Sequence, residues 1–174
     1  MMDLSFCPLV EENEDVWKLV LEWRNSTSIR SQMLNQSPIK WEEHCLWIAK
    51  QSGPEPRSLA RVVYYESKPI GVISLNQLDV KQGHSNWGMY IGEDEMRGMG
   101  IGKAMLDEVI RWGFVDKGLR RLYTSVLANN TKAMGLYVSR GFKIEGNWRD
   151  HVLLESGRCV DLIWVGMLSP YSER

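Results

Sequence analysis

The segment DEMRGMGIGKAML, residues 94–106, sets Gly98, Gly100 and Gly102 into five positions just ahead of a helix-forming run. Each glycine within a helix costs roughly 1 kcal/mol relative to alanine. A chain that accepts this needs left-handed backbone in a tight turn, or room for something to approach the main chain. A strand-like run precedes the glycines, so the order is strand, glycine-rich turn, helix. The free N–H groups of a helix's first turn, together with its dipole, favour an anion at that place. The glycines alone suit either an anion site or a tight turn without a ligand. Two familiar phosphate loops do not fit. A P-loop needs G-x-x-x-x-G-K-[ST], but Ala104 follows Gly102-Lys103 and Arg97 stands at the first-glycine position. The dinucleotide fingerprint G-x-G-x-x-G fails at its third glycine, where Lys103 stands.

The flanking sequence supplies a frame for this turn. LSFCPLV, residues 4–10, is a short first strand. Val16, Leu19, Val20 and Trp23 form a helical stripe in 13–25, with Asn13 as cap and Glu14 and Asp15 in the first turn. A second helix, 37–51, carries Trp41, Cys45 and Ile48 on one face, and the Gly- and Pro-containing stretch 52–56 is a loop. Residues 58–79 are rich in β-branched and aromatic side chains and break at Ser67-Lys68-Pro69 into a hairpin. SNWGMYIG, 85–92, is a further strand, and an amphipathic helix over 101–117 places Met105, Val109 and Trp112 on one side. RRLYTSVL, 120–127, is a strand, 130–142 a short helix closed by Gly141, and the remainder two long strands joined around residues 155–158. The order β, α, α, β, β, β, α, β, α, β, β predicts an α/β (α+β) fold with a central mixed sheet, in a single domain over 1–174.

A formal net charge of −1 argues against a general nucleic-acid binder, and no apolar run reaches membrane-spanning length. The N-terminal residues lack the basic and long apolar regions of a secretory signal. Cys7, Cys45 and Cys159 are odd in number, far apart and without metal-ligand spacing. They read as free thiols of a cytoplasmic protein with no metal centre.

A second pattern joins the glycine run. After the strand that follows the long helix, NTKAMGLYVSRGF fits N-x-x-A-x-x-x-Y-x-x-x-G-F through Asn130, Ala133, Tyr137, Gly141 and Phe142. Together with Arg97-x-x-Gly100-x-Gly102, it makes the chain resemble the GNAT N-acetyltransferase superfamily from Leu4 to about Leu168. The resemblance implies a mostly antiparallel sheet, splayed where acetyl-CoA enters and flanked by helices. It implies that the amides of Arg97, Gly98, Gly100, Ile101, Gly102 and Lys103 bind the pyrophosphate, with Arg97 and Lys103 adding positive charge. Met89, Tyr90 and Ile91 would offer main-chain groups to the pantetheine arm. A bulge in that strand would leave the amide of Tyr90 or Ile91 to donate to the thioester carbonyl. Asn130 would bond the cofactor arm beside Ala133, and Tyr137 would face the thioester sulfur. The link GEDE, 92–95, is about a residue longer than the pattern expects.

Reference pKa values of about 8.5 for a thiol and 10 for tyrosine make outright protonation of the leaving sulfur by Tyr137 uphill by roughly 2 kcal/mol. A hydrogen bond to the sulfur, or a more acidic tyrosine, fits better. The base that takes the amine proton stays open among Glu43, His44, Asp79, His84 and His151.

The first third, with its W-R-N, I-R and W-E-E-H-x-x-W-I runs, resembles the branch acting on the 4-amino group of UDP-linked sugars in pseudaminic acid biosynthesis. That implies a nucleotide-sugar acceptor held by Arg24 or Arg30 at its phosphates, with Trp23, Trp41 or Tyr90 stacking on a ring and His44 nearby. Carboxylates at 11–15 and 93–95 keep a spermidine or polyamine acceptor in view, and a ribosomal-protein N-terminus is a further alternative. A non-catalytic acyl-CoA-binding sensor is the alternative of another class. Trp148 and Trp164, expected at the surface, raise a homodimer through the last strands.

Overall fold

The computed structural model describes residues 3–171. Seven strands form one sheet: β1 (Leu4–Pro8), β2 (Ser58–Tyr65), β3 (Lys68–Asp79), β4 (His84–Ile91), β5 (Arg121–Leu127), β6 (Lys143–Leu153) and β7 (Cys159–Leu168). Their spatial order is β1-β2-β3-β4-β5-β7-β6. Every neighbouring pair is antiparallel except β4–β5. The helices are α1 (Glu14–Asn25), α2 (Thr27–Arg30), α3 (Trp41–Ala49), α4 (Ile101–Arg111) and α5 (Thr131–Ser139). The predicted order of elements therefore holds, with α2 as an addition.

Strand alternation divides the core between the two faces of the sheet. On one face Ile73, Leu75, Trp87 and Leu122 pack with Ile101, Met105 and Val109 of α4. On the other, Ala60, Val62 and Val72 pack with Val20, Trp23, Ile29 and Ile48 from α1–α3. A third small cluster joins Leu127, Val152 and Leu162, with Trp164 packed against it. Trp148 is about half exposed. Trp164, expected at the surface, instead stacks 5.1 Å from Trp148 with its indole nitrogen buried.

Local chemistry accounts for the helix ends. Asn13 Oδ1 accepts from the Val16 amide at 3.1 Å and starts α1. α3 begins four residues later than expected, at Trp41, where Glu43 Oε2 accepts from the Lys40 amide at 3.3 Å. Its buried face runs through His44 and Ile48 rather than Cys45. The helix expected over 101–117 is α-helical only to Arg111 and closes through a π turn, Trp112–Asp116, in which the Lys117 amide bonds the Trp112 carbonyl. Among the described residues no helix is long and apolar enough to cross a membrane.

The sheet opens between β4 and β5. Their parallel pairing covers only His84–Arg121, Ser85–Leu122 and Asn86–Tyr123. Thr124 Oγ1 then donates to the Trp87 carbonyl at 2.8 Å, and beyond it the strands part. The expected bulge at 89–91 is absent. β3–β4 pairing runs in unbroken register from Gly71–Ile91 to Asn76–Asn86, and the irregularity lies between Asn76 and Asp79. An antiparallel strand directs alternate residues' main-chain groups to opposite neighbours. The Gly92 amide bonds the Ile70 carbonyl on β3, which places Tyr90 and Gly88 on the β3 side as well. The Trp87 carbonyl points to β5, so Met89 and Ile91 turn their N–H and C=O groups into the opening. Parity of the ladder thus removes Tyr90 from the two expected amide donors and leaves Ile91, with Met89 beside it.

Candidate active site

A cavity of about 1110 Å³ occupies this opening and runs from the N-terminus of α4 to the underside of α1–α3. Single-ligand pockets span roughly 300–1,000 Å³, so this one stands just above the upper end of that range. Among the described residues no group of His, Cys, Asp and Glu side chains stands together as a metal site.

At the α4 end, Gly98 and Gly100 have φ of +82° and +84°, the left-handed region that side chains avoid. Gly100 caps α4, with the Lys103 and Ala104 amides turned back to its carbonyl at 3.1 and 3.3 Å. The amides of 98–102 meet no backbone carbonyl among the described residues. Gly102 is different. It is helical, and a methyl there would make ordinary contacts with the Leu136 side chain at 3.6 Å and the Ile91 side chain at 4.0 Å. The fold does not require this glycine, yet it lines the cavity. The longer GEDE link is taken up by a 3₁₀ turn, Asp94–Met96. Arg97 folds over the end of β4, 2.7 Å from Asp94 and 3.2 Å from the Ile91 carbonyl. Lys103 does not line the cavity, and Ile101 is buried in the core below. Lys132, on the first turn of α5, lines it instead. The sequence held that signal in the lysine two places after the motif asparagine, at a second helix N-terminus.

The middle of the cavity holds Met89, Ile91, Asn130, Ala133 and Tyr137. Asn130 caps α5 through Oδ1, which accepts from the Ala133 amide at 3.2 Å, leaving its NH₂ to a ligand. Tyr137 packs edge-on against Trp87, centroids 4.8 Å apart, and its hydroxyl has no hydrogen-bond partner among the described residues. Burial pushes its pKa up to about 12. Against a thiol near 8.5, full proton transfer then costs about 5 kcal/mol. The site therefore makes this tyrosine a neutral hydrogen-bond donor rather than a stronger acid.

The far end lies under α1–α3 and is lined by Arg24, His44, Trp47, Ser74, Asn76 and Asn86, among others. Arg24 Nη2 donates to the Asn35 carbonyl at 2.8 Å, while its Nη1 is buried without a partner. Burial works against its charge and Tyr90 opposes that effect, but the nearby Arg30 adds to it. His44 is 3 % exposed, with Nε2 3.0 Å from the Trp17 carbonyl. A carbonyl only accepts, so Nε2 carries the proton and Nδ1 keeps its lone pair. Burial lowers the His44 pKa, against the opposing effect of that hydrogen bond.

Several expected site residues lie elsewhere. Trp23 is 6 % exposed in the core, its indole N–H donating to Glu93 at 3.1 Å. Arg30 pairs with Glu155 and donates to the Gln36 carbonyl, outside the cavity wall. Of the five candidate bases, only His44 lines the cavity. Glu43 caps α3, Asp79 accepts from the Gln82 amide, His84 packs against Tyr123, and His151 against Trp148. Five carboxylates of the acidic clusters are held by other side chains. Glu12 accepts from Tyr64, Glu14 pairs with Lys18, Glu93 and Glu95 pair with Lys68, and Asp94 with Arg97. No Asp or Glu is among the described lining residues.

Comparison with known proteins bears on the family and the fold. The chain is 26% identical over 151 residues to acetyltransferase PseH of Campylobacter jejuni, covering 86% of this chain and 92% of that one. The crystal structure of Campylobacter jejuni N-acetyltransferase PseH in complex with acetyl coenzyme A superposes with a TM-score of 0.72 at 20% identity, covering 95% of this chain and 99% of that chain. A spermidine N-acetyltransferase from Vibrio cholerae, solved with CoA and spermine, gives a TM-score of 0.84 at 19% identity, with 95% of each chain covered. The family model described as the Acetyltransferase (GNAT) family matches residues 17–142. The chain belongs to the GNAT acetyltransferase family.

Proposed function

We propose that this acetyl-CoA-dependent N-acetyltransferase acts on the amine of a nucleotide-linked amino sugar, the 4-amino group of a UDP-sugar. One observation carries the reading. The charged residues lining the cavity are Arg24, Arg97 and Lys132, all cations, and Arg24 holds a buried Nη1 without a partner. A buried guanidinium left half unpaired is costly, and a phosphate oxygen relieves it with a charge-assisted bond. A polyamine needs the opposite, carboxylates facing the cavity. The resemblance of the first third to the UDP-4-amino-sugar enzymes supports the same acceptor. The likeness to spermidine acetyltransferases is one of fold.

The chemistry assigned to the chain's own groups follows from their positions. Acetyl-CoA supplies the activated acetyl group. The amides at 98–102, with Arg97 and Lys132, hold its phosphates, and Gly102 leaves the main chain bare to them. The N–H and C=O groups of Met89 and Ile91 pair with the amide-bearing arm, and one of these N–H groups donates to the thioester carbonyl. The Tyr137 hydroxyl donates to the sulfur as negative charge gathers there. Arg24 holds the acceptor's diphosphate, so that the amine meets the thioester at the Trp87–Met89 stretch by direct attack in a ternary complex.

The test is thiol release from acetyl-CoA with a UDP-4-amino sugar, spermidine and an N-terminal peptide under identical conditions. The sugar nucleotide should give the highest kcat/KM. Arg24→Gln should raise its KM roughly 10- to 100-fold, as expected for losing a hydrogen bond to a charged group, with the acetyl-CoA KM unchanged. An inert sugar nucleotide beside rapid spermidine turnover overturns the reading. Tight acetyl-CoA binding with no amine-dependent thiol release points to a sensor instead.

A further inference from the structure

The sheet beneath α1–α3 changes character along β3. Val72 is part of the apolar packing, but the next residues on the same face, Ser74 and Asn76, are polar and line the cavity. They belong to a hydrogen-bonded chain that crosses three strands. Trp47 Nε1 donates to Ser58 Oγ at 3.1 Å, and Ser58 donates to Asn76 Oδ1 at 3.1 Å. Asn76 Nδ2 donates to Ser74 Oγ at 3.0 Å, and Ser74 closes the chain on the Gly88 carbonyl at 3.4 Å. A carbonyl only accepts, so the Ser74 hydroxyl gives its one proton to Gly88 and must accept from Asn76, which turns Nδ2 toward Ser74 and Oδ1 toward Ser58. The Asn76 amide therefore cannot be turned over without losing the bond from Ser74 to the Gly88 carbonyl. Its oxygen faces Ser58, one N–H faces Ser74, and its second N–H has no partner in the chain.

Gly88 keeps that place open. It has no positive φ, so its backbone does not demand glycine, and glycine weakens a strand interior. A Cβ at this position would stand 3.2 Å from Ser74 Oγ and 3.7 Å from Asn76 Nδ2, covering both. Gly88 adjoins Met89, whose main chain faces the opening where transfer takes place. Asn86, opposite Asn76 in register, lines the same floor.

We propose that Asn76 is a specificity-determining residue for the acceptor. Its oriented Nδ2–H receives an oxygen, hydroxyl or carbonyl, carried on the carbon skeleton beside the attacking amine. Trp47, Ser58 and Ser74 are positioning residues that act through it. The proposal deepens the nucleotide-sugar reading, since a sugar carries such oxygens next to its amine and spermidine carries none.

Asn76→Leu tests it at nearly constant shape, since a methyl replaces the NH₂ and can donate to neither a hydroxyl nor a carbonyl. With the UDP-4-amino sugar, kcat/KM should fall roughly tenfold or more, while acetyl-CoA affinity measured by calorimetry stays at the wild-type value. Ser58→Ala removes the donor to Asn76 Oδ1 and leaves the amide held at one end only, and should raise the acceptor KM several-fold with acetyl-CoA affinity again unchanged. Wild-type kinetics in both variants overturn the proposal, as does a parallel loss of acetyl-CoA and acceptor binding in both, which marks the chain as structural. If the wild type prefers the peptide, the sugar reading fails alone and Asn76 is tested against the peptide's carbonyl oxygens. A wild type that prefers spermidine, or acetylates none of the three, overturns both.

Discussion

Tyr137 shows how a side chain's environment defines its role. Its position in the motif was readable from sequence, whereas the direction of its pKa was not. Packed against Trp87 and Phe142, the phenol is pushed up to about 12, so it remains protonated throughout the pH range in which an enzyme is assayed. Tyr137→Phe should lower kcat by roughly 10- to 100-fold, the range expected when a donor to a developing charge is lost. The acetyl-CoA KM should change little. Because the phenol does not ionise between pH 6 and 9, the ratio of wild-type to variant kcat should be flat across that interval. A ratio that falls as pH rises would mean that the phenol titrates there and acts as an acid. Residues that reach the cavity only through tertiary position were hidden at this scale. Arg24 and Arg30 look equivalent in sequence, and only the fold pairs Arg30 with Glu155 while leaving Arg24 facing the cavity. Trp23 reads as a stacking platform until Glu93 is seen to hold its indole in the core.

At the scale of elements, the helix N-terminus at Gly100 separates two uses of glycine that the sequence presents side by side. Gly98 and Gly100 carry the left-handed backbone of the turn, and Gly102 is a helical residue kept bare. Replacing each with alanine should therefore have opposite effects. Gly102→Ala should leave stability unchanged or raise it by about 0.5–1 kcal/mol through helix propensity, yet weaken acetyl-CoA binding about tenfold, because a methyl projects into the cavity. Gly100→Ala should destabilise by roughly 1–2 kcal/mol, the cost of forcing a side chain into left-handed backbone. Chemical denaturation and calorimetric titration on the two variants separate the effects, and equal loss of stability in both would contradict the assignment. The strands and helices themselves were largely legible, since hydrophobic period, caps and the two motifs agreed on their order. The opening between β4 and β5 was not. It depends on where the pairing of two strands ends, which no local pattern records, and it forms here without the bulge that the resemblance implied. The polar chain beneath it was hidden for the same reason, because Ser58, Ser74 and Asn76 meet only when β2, β3 and helix α3 are assembled.

For the molecule as a whole, the cavity wall is also part of what holds the α1–α3 layer together, and His44 links two of its helices. It is 3 % exposed on α3, tied to the Trp17 carbonyl on α1, and turned toward the cavity. Burial lowers its pKa in the folded chain, whereas the unfolded chain takes up this proton near 6.5. Between those two values the unfolded state binds the extra proton, so acid favours unfolding. Stability should decline as pH falls below about 6.5, with a slope of at most one proton, or about 1.4 kcal/mol per pH unit. The carboxylates that the fold holds below their usual range add their own loss at more acidic pH. They are Glu93 beside Lys68, Glu145 beside Arg121, and Asp161 beneath the Asp150 amide and Asn147. Their separate window lets the histidine be read on its own. Gln at position 44 keeps a donor for the Trp17 carbonyl and has no proton to gain, so urea unfolding of His44→Gln between pH 5 and 7 should give a flat profile. An unchanged acid slope in that variant would mean that the proton is taken up elsewhere and that His44 is already charged in the folded chain.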